Sequence, residues 1–212
     1  MDWPRFPSSR PPLGSRIIKD QFNPVSWERM FSNSYTPVKF ERNAVVVMVP
    51  EGTEVELPAG TVGYITQSLG GSFTVYVEGR LFRLAGNDAD AIGREPPPLP
   101  KLPENATDDD VEELVWSQLK TVYDPEIPIN VVELGLVYEC NLIHDEGDER
   151  HVDIAMTLTA PGCGMGDVLV ADVRDRIKLI PTISEVNVAL TFDPPWNQTM
   201  MSEEARLETG MF

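Results

Sequence analysis

Apolar positions along the chain fall into two regimes: short two-residue alternations first, then helical stripes interleaved with strands. Between residues 44 and 84 five short segments read as strands. Ala44 to Pro50 (AVVVMVP) is an apolar strand, and Glu54 to Leu57 (EVEL) is a short second one before a turn at Pro58–Gly60. Thr61 to Leu69 and Ser72 to Val77 flank Gly70-Gly71, a pair suited to hairpin turns whose two central residues need positive φ. Glu78-Gly79 then turns the chain into Arg80 to Leu84. This spacing predicts a small barrel or rolled sheet.

After residue 104 the period lengthens. Val111, Leu114, Val115, Leu119 and Val122 form one helical stripe that stops before Pro125. Thr107 is its N-cap, and Asp108, Asp109 and Asp110 fill a first turn that favours acidic groups. Leu136 to Ile143 reads as a strand, and His144 to Glu149 as a polar hairpin connection. His151 to Thr159 alternates, with Val152, Ile154, Met156 and Leu158 on one face. Asp167 to Ile180 is helical, Val186 to Phe192 is a third strand, and Ser202 to Gly210 is a short helix closed by glycine. The order is αββαβα, and a helix leading into the following strand favours a right-handed crossover. The expected fold class is α+β, a C-terminal αββαβα domain with helices against a three-stranded sheet, preceded by a small all-β domain.

Residues 1–36 carry many prolines and no sustained period, which reads as a flexible tail. Arg94 to Pro103 contains five prolines and reads as a semi-rigid linker. The expected organisation is therefore a tail over 1–36, a β-barrel-like domain over 37–95, a Pro-rich linker over 96–103 and the α+β domain over 104–212. Hydrophobic content is 42% and charged content 24%, an ordinary globular balance. No stretch approaches the roughly 18 apolar residues of a membrane span. The N-terminus lacks an apolar signal region, and Pro4, Pro7, Pro11 and Pro12 forbid an amphipathic transit helix. A cytoplasmic protein with two free thiols is expected.

The net charge of −17 is unevenly placed. Residues 1–103 hold 11 basic and 11 acidic side chains, whereas residues 104–212 hold 6 and 23, so the whole excess lies in the second half. Such a surface repels phosphate backbones and disfavours nucleic acid as a partner. It is either a solvated face or a means of selecting a basic partner.

Cys163 has the most distinctive sequence surroundings. It lies in MTLTAPGCGMG (Met156 to Gly166), which leaves the alternating run, turns at Pro161-Gly162 and enters a helical pattern. A cysteine at a helix N-terminus is biased towards the thiolate, which is a nucleophile and a soft metal ligand. Pro161, Gly162, Gly164 and Gly166 suit close approach of backbone amides to whatever the sulfur holds. One cysteine does not close a metal site, so a partner or a second copy of the chain is required. Cys140, in phase with Tyr138 and Leu142, reads as core filler. Asp124-Pro125-Glu126 is either a helix stop or a pair of carboxylates near Cys163. Thr157 and Thr159 either line the same edge or are ordinary β-branched strand residues. His144 and His151 are expected on the surface at the far end of the strand, which leaves Cys163 without a base. The chain has no CxxC, HExxH, phosphate-loop or dinucleotide fingerprint, and no catalytic residue is assigned. Trp196, in the rigid Asp193-Pro194-Pro195-Trp196 segment, is placed to anchor the C-terminal helix or a partner, with Met200, Met201 and Met211 nearby.

YDPEIPINVVELGLVY (Tyr123 to Tyr138), MTLTAPGC (Met156 to Cys163) and VNVALTFDPPW (Val186 to Trp196) together resemble the MIP-eighteen/PaaD-like iron–sulfur maturation family. QSLGGSFTV (Gln67 to Val75) with DADAIG (Asp88 to Gly93) looks like the extra N-terminal domain of its bacterial SufT branch. The resemblance runs from about Arg42 to Phe212 and implies an iron–sulfur-assembly type of fold. The family's reactive cysteine maps onto Cys163, its acidic turn onto Asp124, Pro125 and Glu126, and its loop threonine onto Thr159. This implies Cys163 as metal ligand, with Thr159, Asp124 and Glu126 around a transient iron–sulfur cluster. Two positions depart from the broad family: Glu133 stands where aspartate is common, and Gly164 where proline is common.

A stable cluster takes four protein ligands. One Cys163 per chain supplies two in a symmetric homodimer, leaving exogenous thiols to complete a labile site suited to transfer. The resemblance thus implies a non-enzymatic accessory factor that transiently handles or delivers clusters to apo-proteins through Cys163. Its partners would be iron–sulfur scaffold or carrier proteins and apo-protein clients, with no membrane partner. The alternative is a cluster-free adaptor bridging the assembly machinery and its clients. The N-terminal β domain is expected to be an interaction module.

Overall fold

Alternation of apolar residues at period two builds the first layer. In the computed structural model, which describes residues 35–125, 127–145, 147–162 and 164–210, this layer is an antiparallel sheet. Its strands are β1 (Thr36–Lys39), β2 (Ala44–Val49), β3 (Glu54–Leu57), β4 (Val62–Leu69), β5 (Ser72–Val77) and β6 (Arg80–Leu84). They are ordered β1-β4-β5-β6-β2-β3, so β1 and β3 are its edges. Val46, Ile65, Phe73, Val75, Phe82 and Leu84 point to one buried face, which Phe40, Ala89 and Ile92 also enter. Gly70 and Gly71 have φ of 55° and 78°, the left-handed pair that joins β4 to β5 without splaying the strands. β1 begins at Thr36, inside the stretch that pattern alone gives to the tail. Only Val38 of its four residues is buried, and one inward position is too little to register as a period.

A seven-residue 3-10 helix at Gly86–Ile92 follows β6. Its Asp88 and Asp90 receive the Arg42 guanidinium, with Nη2–Oδ1 distances of 2.7 and 2.6 Å. The DADAIG sequence is thereby tied back to the loop between β1 and β2.

The second layer starts with α1 (Asp108–Leu119). Thr107 and Asp110 form a reciprocal capping box: the Thr107 N–H donates to the Asp110 carboxylate (2.7 Å), and the Asp110 N–H donates to the Thr107 hydroxyl (3.3 Å). The helix ends at Lys120, so Val122 lies beyond it despite sharing the apolar stripe. Val122 is nevertheless buried, and its carbonyl accepts the Val131 N–H at 2.9 Å. β7 (Val137–His144), β8 (Arg150–Met156), α2 (Gly166–Lys178), β9 (Ile183–Leu190) and α3 (Glu203–Thr209) complete the order, with a short 3-10 turn at Gln198–Met200 before α3. β8 is central, antiparallel to β7 and parallel to β9. Its Val152, Ile154 and Met156 join Val111, Val115 and Leu119 of α1 and Leu169, Val173 and Ile177 of α2 in one core. Fully burying a side chain of this kind contributes about 1.5–3 kcal/mol, which outweighs the modest intrinsic propensities of two short helices.

The C-terminal segment is fastened to this core. Trp196 Nε1 donates to the Leu134 carbonyl at 2.7 Å, and the Ser202 N–H donates to the Glu133 carbonyl at 2.9 Å. A Cβ on Gly135 would lie 2.1 Å from the Met200 carbonyl oxygen, so only glycine admits this crossing. Of the anchoring roles open to Trp196, the structure thus gives it the intramolecular one. Met211 lies outside the described residues. Among the described residues, no helix is long and apolar enough to cross a membrane.

Both sheets belong to one compact unit, Tyr35–Phe212, and they meet through arginines and glycines. Arg83 of β6 pairs with Asp172 of α2 and donates to Ser72 Oγ at 3.1 Å. Arg176, one helical turn further on, donates to the Gly70 carbonyl. A Cβ on Gly70 would lie 1.7 Å from the Thr121 carbonyl oxygen.

Candidate functional site

The segment after α1 is shaped by its own polar groups. The Asp124 carboxylate accepts the Ile127 N–H at 2.8 Å, and the Asp124 N–H donates to the Ile129 carbonyl at 3.1 Å. Asn130 Oδ1 accepts from the N–H groups of Val132 (3.1 Å) and Glu133 (2.9 Å). These bonds stop the helix and fold the chain back towards β7, a use of short polar side chains typical of such turns. Asp124 is buried. With Tyr123 and Pro125 it lines a narrow crevice whose opposite wall is Gln67, Leu69, Ser72, Thr74 and Arg83 of the β sheet. Glu126 lies outside the described residues.

The segment that follows β8 carries the other candidates. Thr157 donates its N–H to the Leu136 carbonyl at 2.8 Å and is completely buried, and its hydroxyl has no hydrogen-bond partner. Such an orphaned hydroxyl carries a desolvation cost. Thr159 is half-buried, and Ala160, Pro161 and Gly162 are exposed. Cys163 lies outside the described residues, and the residues on both sides of it are described. Gly162 has a φ of 79° and open space where a Cβ would be, a turn requirement only. Gly164 and Gly166 have a different reason to be glycine. A Cβ on Gly164 would meet the Glu51 carbonyl oxygen at 2.7 Å, and one on Gly166 would meet Leu158 Cδ1 at 2.8 Å. Both therefore serve close packing within the protein, where the sequence suggested room for a bound group. Helix α2 then starts at Gly166 with Met165 as N-cap and no side-chain cap bond.

The remaining candidates sort clearly. Cys140 is half-buried against the core, and burial together with nearby Glu112 pushes its thiol up to about 11. It is a poor nucleophile at neutral pH. His144 and His151 sit at the opposite end of β8 from the segment after Met156. His144 Nδ1 lies 3.0 Å from an Asp108 carboxylate oxygen, and its Nε2 lies 2.8 Å from the Gly147 carbonyl. His151 Nδ1 lies 2.8 Å from Asp145. Asp108 also takes Arg150 Nε at 2.7 Å, pinning the start of α1 to the start of β8. Both histidines are thus structural. Among the described residues, no group of three or more histidine, cysteine or carboxylate side chains is placed to hold a metal ion.

Sequence reasoning passed over Gly52, Arg83, Asp172 and Arg176. Arg83 alternates along β6 like a surface residue, and Asp172 and Arg176 occupy polar helix positions; only their spacing of one turn hinted at a shared face.

Residues 112–190 match the family described as iron-sulfur cluster assembly protein. The chain is 48% identical over 99 residues to the Fe-S protein maturation auxiliary factor of Porphyromonas gingivalis, covering 47% of this chain and 90% of the relative. It is 39% identical over 90 residues to the Fe-S protein maturation auxiliary factor SufT of Staphylococcus aureus, 42% of this chain and 98% of the relative. Its identity to the auxiliary factor YitW of Bacillus subtilis is 33% over 101 residues, 48% of this chain and 95% of the relative. Since these relatives are matched over nine-tenths or more of their length, and the family match takes in Asp124, Thr159 and Cys163, the chain is a SufT-like member of the iron–sulfur cluster assembly protein family.

Proposed function

We propose that this protein is a non-enzymatic accessory factor in the maturation of iron–sulfur proteins, and that Cys163 is the thiol through which it transiently handles or delivers a cluster as cargo. The observation that carries the reading is the 48% identity to a maturation auxiliary factor over 90% of that relative's length. Asp124, Glu126, Thr159 and Cys163 all lie within the family match. Cys163 falls three residues before the first residue of α2, where the helix dipole favours a thiolate. The other thiol, Cys140, is held protonated by burial. In this reading Asp124, Glu126 and Thr159 are the residues assigned to the cargo side of the site.

One thiol per chain leaves a cluster short of ligands. A second copy of the chain and small-molecule thiols fill the shell, and the resulting lability suits hand-over to another protein. The acidic α+β half receives scaffold or carrier proteins on one side of the exchange and apo-protein clients on the other. The β-rich half is an interaction module, and the protein acts in the cytoplasm.

Anaerobic reconstitution with iron and sulfide tests this directly, comparing wild type with Cys163→Ala by absorption and Mössbauer spectroscopy alongside mass in solution. The expected result is a cluster that depends on Cys163 and sits on a dimer. A folded protein that takes up no cluster supports the adaptor reading. Full maturation of cluster enzymes in cells carrying Cys163→Ala overturns any role for that thiol.

A further inference from the structure

A cleft opens where β4, the turn after α1 and the C-terminal helix α3 come together. Leu69, Tyr123, Pro128 and Ile129 give it an apolar wall, and Glu133, Glu204 and Glu208 bring three carboxylates to it. Its volume is about 450 Å³, ample for one long side chain, since pockets for whole drug-sized molecules begin at about 300 Å³. Leu69, Glu204 and Glu208 lie outside residues 112–190, the stretch matched to the family.

The carboxylates are gathered against their mutual repulsion. Glu204 and Glu208 stand four residues apart on α3, so they share a helix face, and like charges at this spacing are destabilising. Glu208 also falls in the last turn of the helix, where the dipole disfavours a negative charge. The Ser202 N–H, donating to the Glu133 carbonyl at 2.9 Å, ties Glu133 to the start of the same helix. Among the described residues, no lysine, arginine or histidine lines the cleft, and none of the three carboxylates takes a hydrogen bond or an ion pair from another side chain. The surrounding half offers little relief, with 6 basic and 23 acidic side chains over residues 104–212.

We propose that this cleft docks an arginine side chain from a basic segment of a partner protein. The methylene stem lies along the apolar wall while the guanidinium meets the carboxylates, and the Tyr123 ring offers a stacking surface. Arginine fits better than lysine, because its planar fork carries five N–H donors and stacks on an aromatic ring. Charge complementarity selects the occupant: a cation removes the repulsion between Glu204 and Glu208, and an apolar or anionic group does not. The cleft is thus one place where the acidic half recognises a basic partner, independent of whether Cys163 handles a cluster.

Nα-acetyl-arginine amide is the probe, titrated into the isotope-labelled full-length protein and followed by two-dimensional NMR. Saturating shifts are expected at the amides of Tyr123, Ile129, Glu133 and Ala205. The citrulline counterpart, similar in shape but uncharged, should give no saturating shift there, and the lysine counterpart should bind more weakly. Glu133→Gln/Glu204→Gln/Glu208→Gln keeps the shape of the cleft and should weaken binding on the order of tenfold or more. Glu113→Gln/Glu139→Gln/Glu185→Gln removes the same charge from exposed positions outside the cleft and should leave binding unchanged. Equal weakening in the two triple variants means that the general field of the acidic half attracts the probe, and it overturns the proposal. Shifts scattered over the acidic surface, or citrulline or lysine probes that bind as tightly as arginine, overturn it too. A fall in solution mass on the cleft substitutions assigns the cleft to a second copy of this chain, which also overturns it.

Discussion

Replacing Arg83 with methionine keeps most of the side-chain volume and removes the charge facing Asp172. The two side chains are 11% and 21% exposed, so water replaces little of what is lost. Desolvation already holds the Asp172 carboxyl above its ordinary range, although Arg83 and Arg176 both pull it down. Without Arg83 the cheapest response is for Asp172 to take up a proton. With an unfolded-state pKa of about 3.9 and about 1.36 kcal/mol per unit, holding that proton costs about 4 kcal/mol at pH 7 and about 2 kcal/mol at pH 5.5. Arg176 still acts on the carboxylate and softens the loss, so the expected destabilisation is about 2–3 kcal/mol at pH 7. That corresponds to about 5–10 °C in Tm for a unit of this size. The sign follows from linkage: a carboxyl whose folded pKa lies above its unfolded value destabilises increasingly as pH rises from the unfolded value towards the folded one. The Arg83→Met deficit therefore shrinks at pH 5.5. Urea unfolding followed by circular dichroism at pH 5.5 and 7 measures it. The Arg83→Met/Asp172→Leu double variant, with no orphaned carboxylate to bury, should return to within about 1 kcal/mol of wild type. A deficit below about 0.5 kcal/mol at pH 7, or equal deficits at both pH values, refutes the reasoning.

Three further outcomes follow from the same geometry. Gly70→Ala should cost well over the about 1–2 kcal/mol of left-handed strain, because its Cβ would lie 1.7 Å from the Thr121 carbonyl oxygen, whereas Gly147→Ala, with nothing within 4 Å, should show that strain alone; denaturant titration separates the two. The Gly147 carbonyl and the Asp108 carboxylate raise the His144 pKa above its ordinary value, so its contribution is fully present below about 6.5 and is lost as pH rises through the folded value. An NMR titration of the ring protons giving an unshifted or lowered value refutes this. Cys140, with its thiol near 11, should resist iodoacetamide at pH 8 in the native protein and react once unfolded, and mass mapping of labelled peptides checks it.

Much of the α+β half was legible in the residue order. The Val152, Ile154 and Met156 alternation, the Thr107 N-cap and the closing Gly210 each encode their element within a few neighbouring residues, and the structure places a strand, a helix start and a helix end there. Cys163 and the acidic turn stood out for the same local reason, an unusual density of glycine, proline and charge between two periods. Val122 misled because an apolar stripe reports burial, whatever the backbone conformation that achieves it; here the segment just past the helix keeps the residue in the core.

By itself, then, the sequence determined most of the elements, their order and the short segments with candidate chemistry, since period, caps and turn glycines act over a few residues. Only the tertiary structure decided what the β-rich half rests against. Gly52 and Gly70 look like ordinary turn glycines in the sequence, and a backbone pressed against a backbone leaves no side-chain pattern to read. Arg83 and Asp172 lie 89 positions apart in the chain. Their pairing exists because two independently patterned layers close on each other, and no local pattern records that long-range fit.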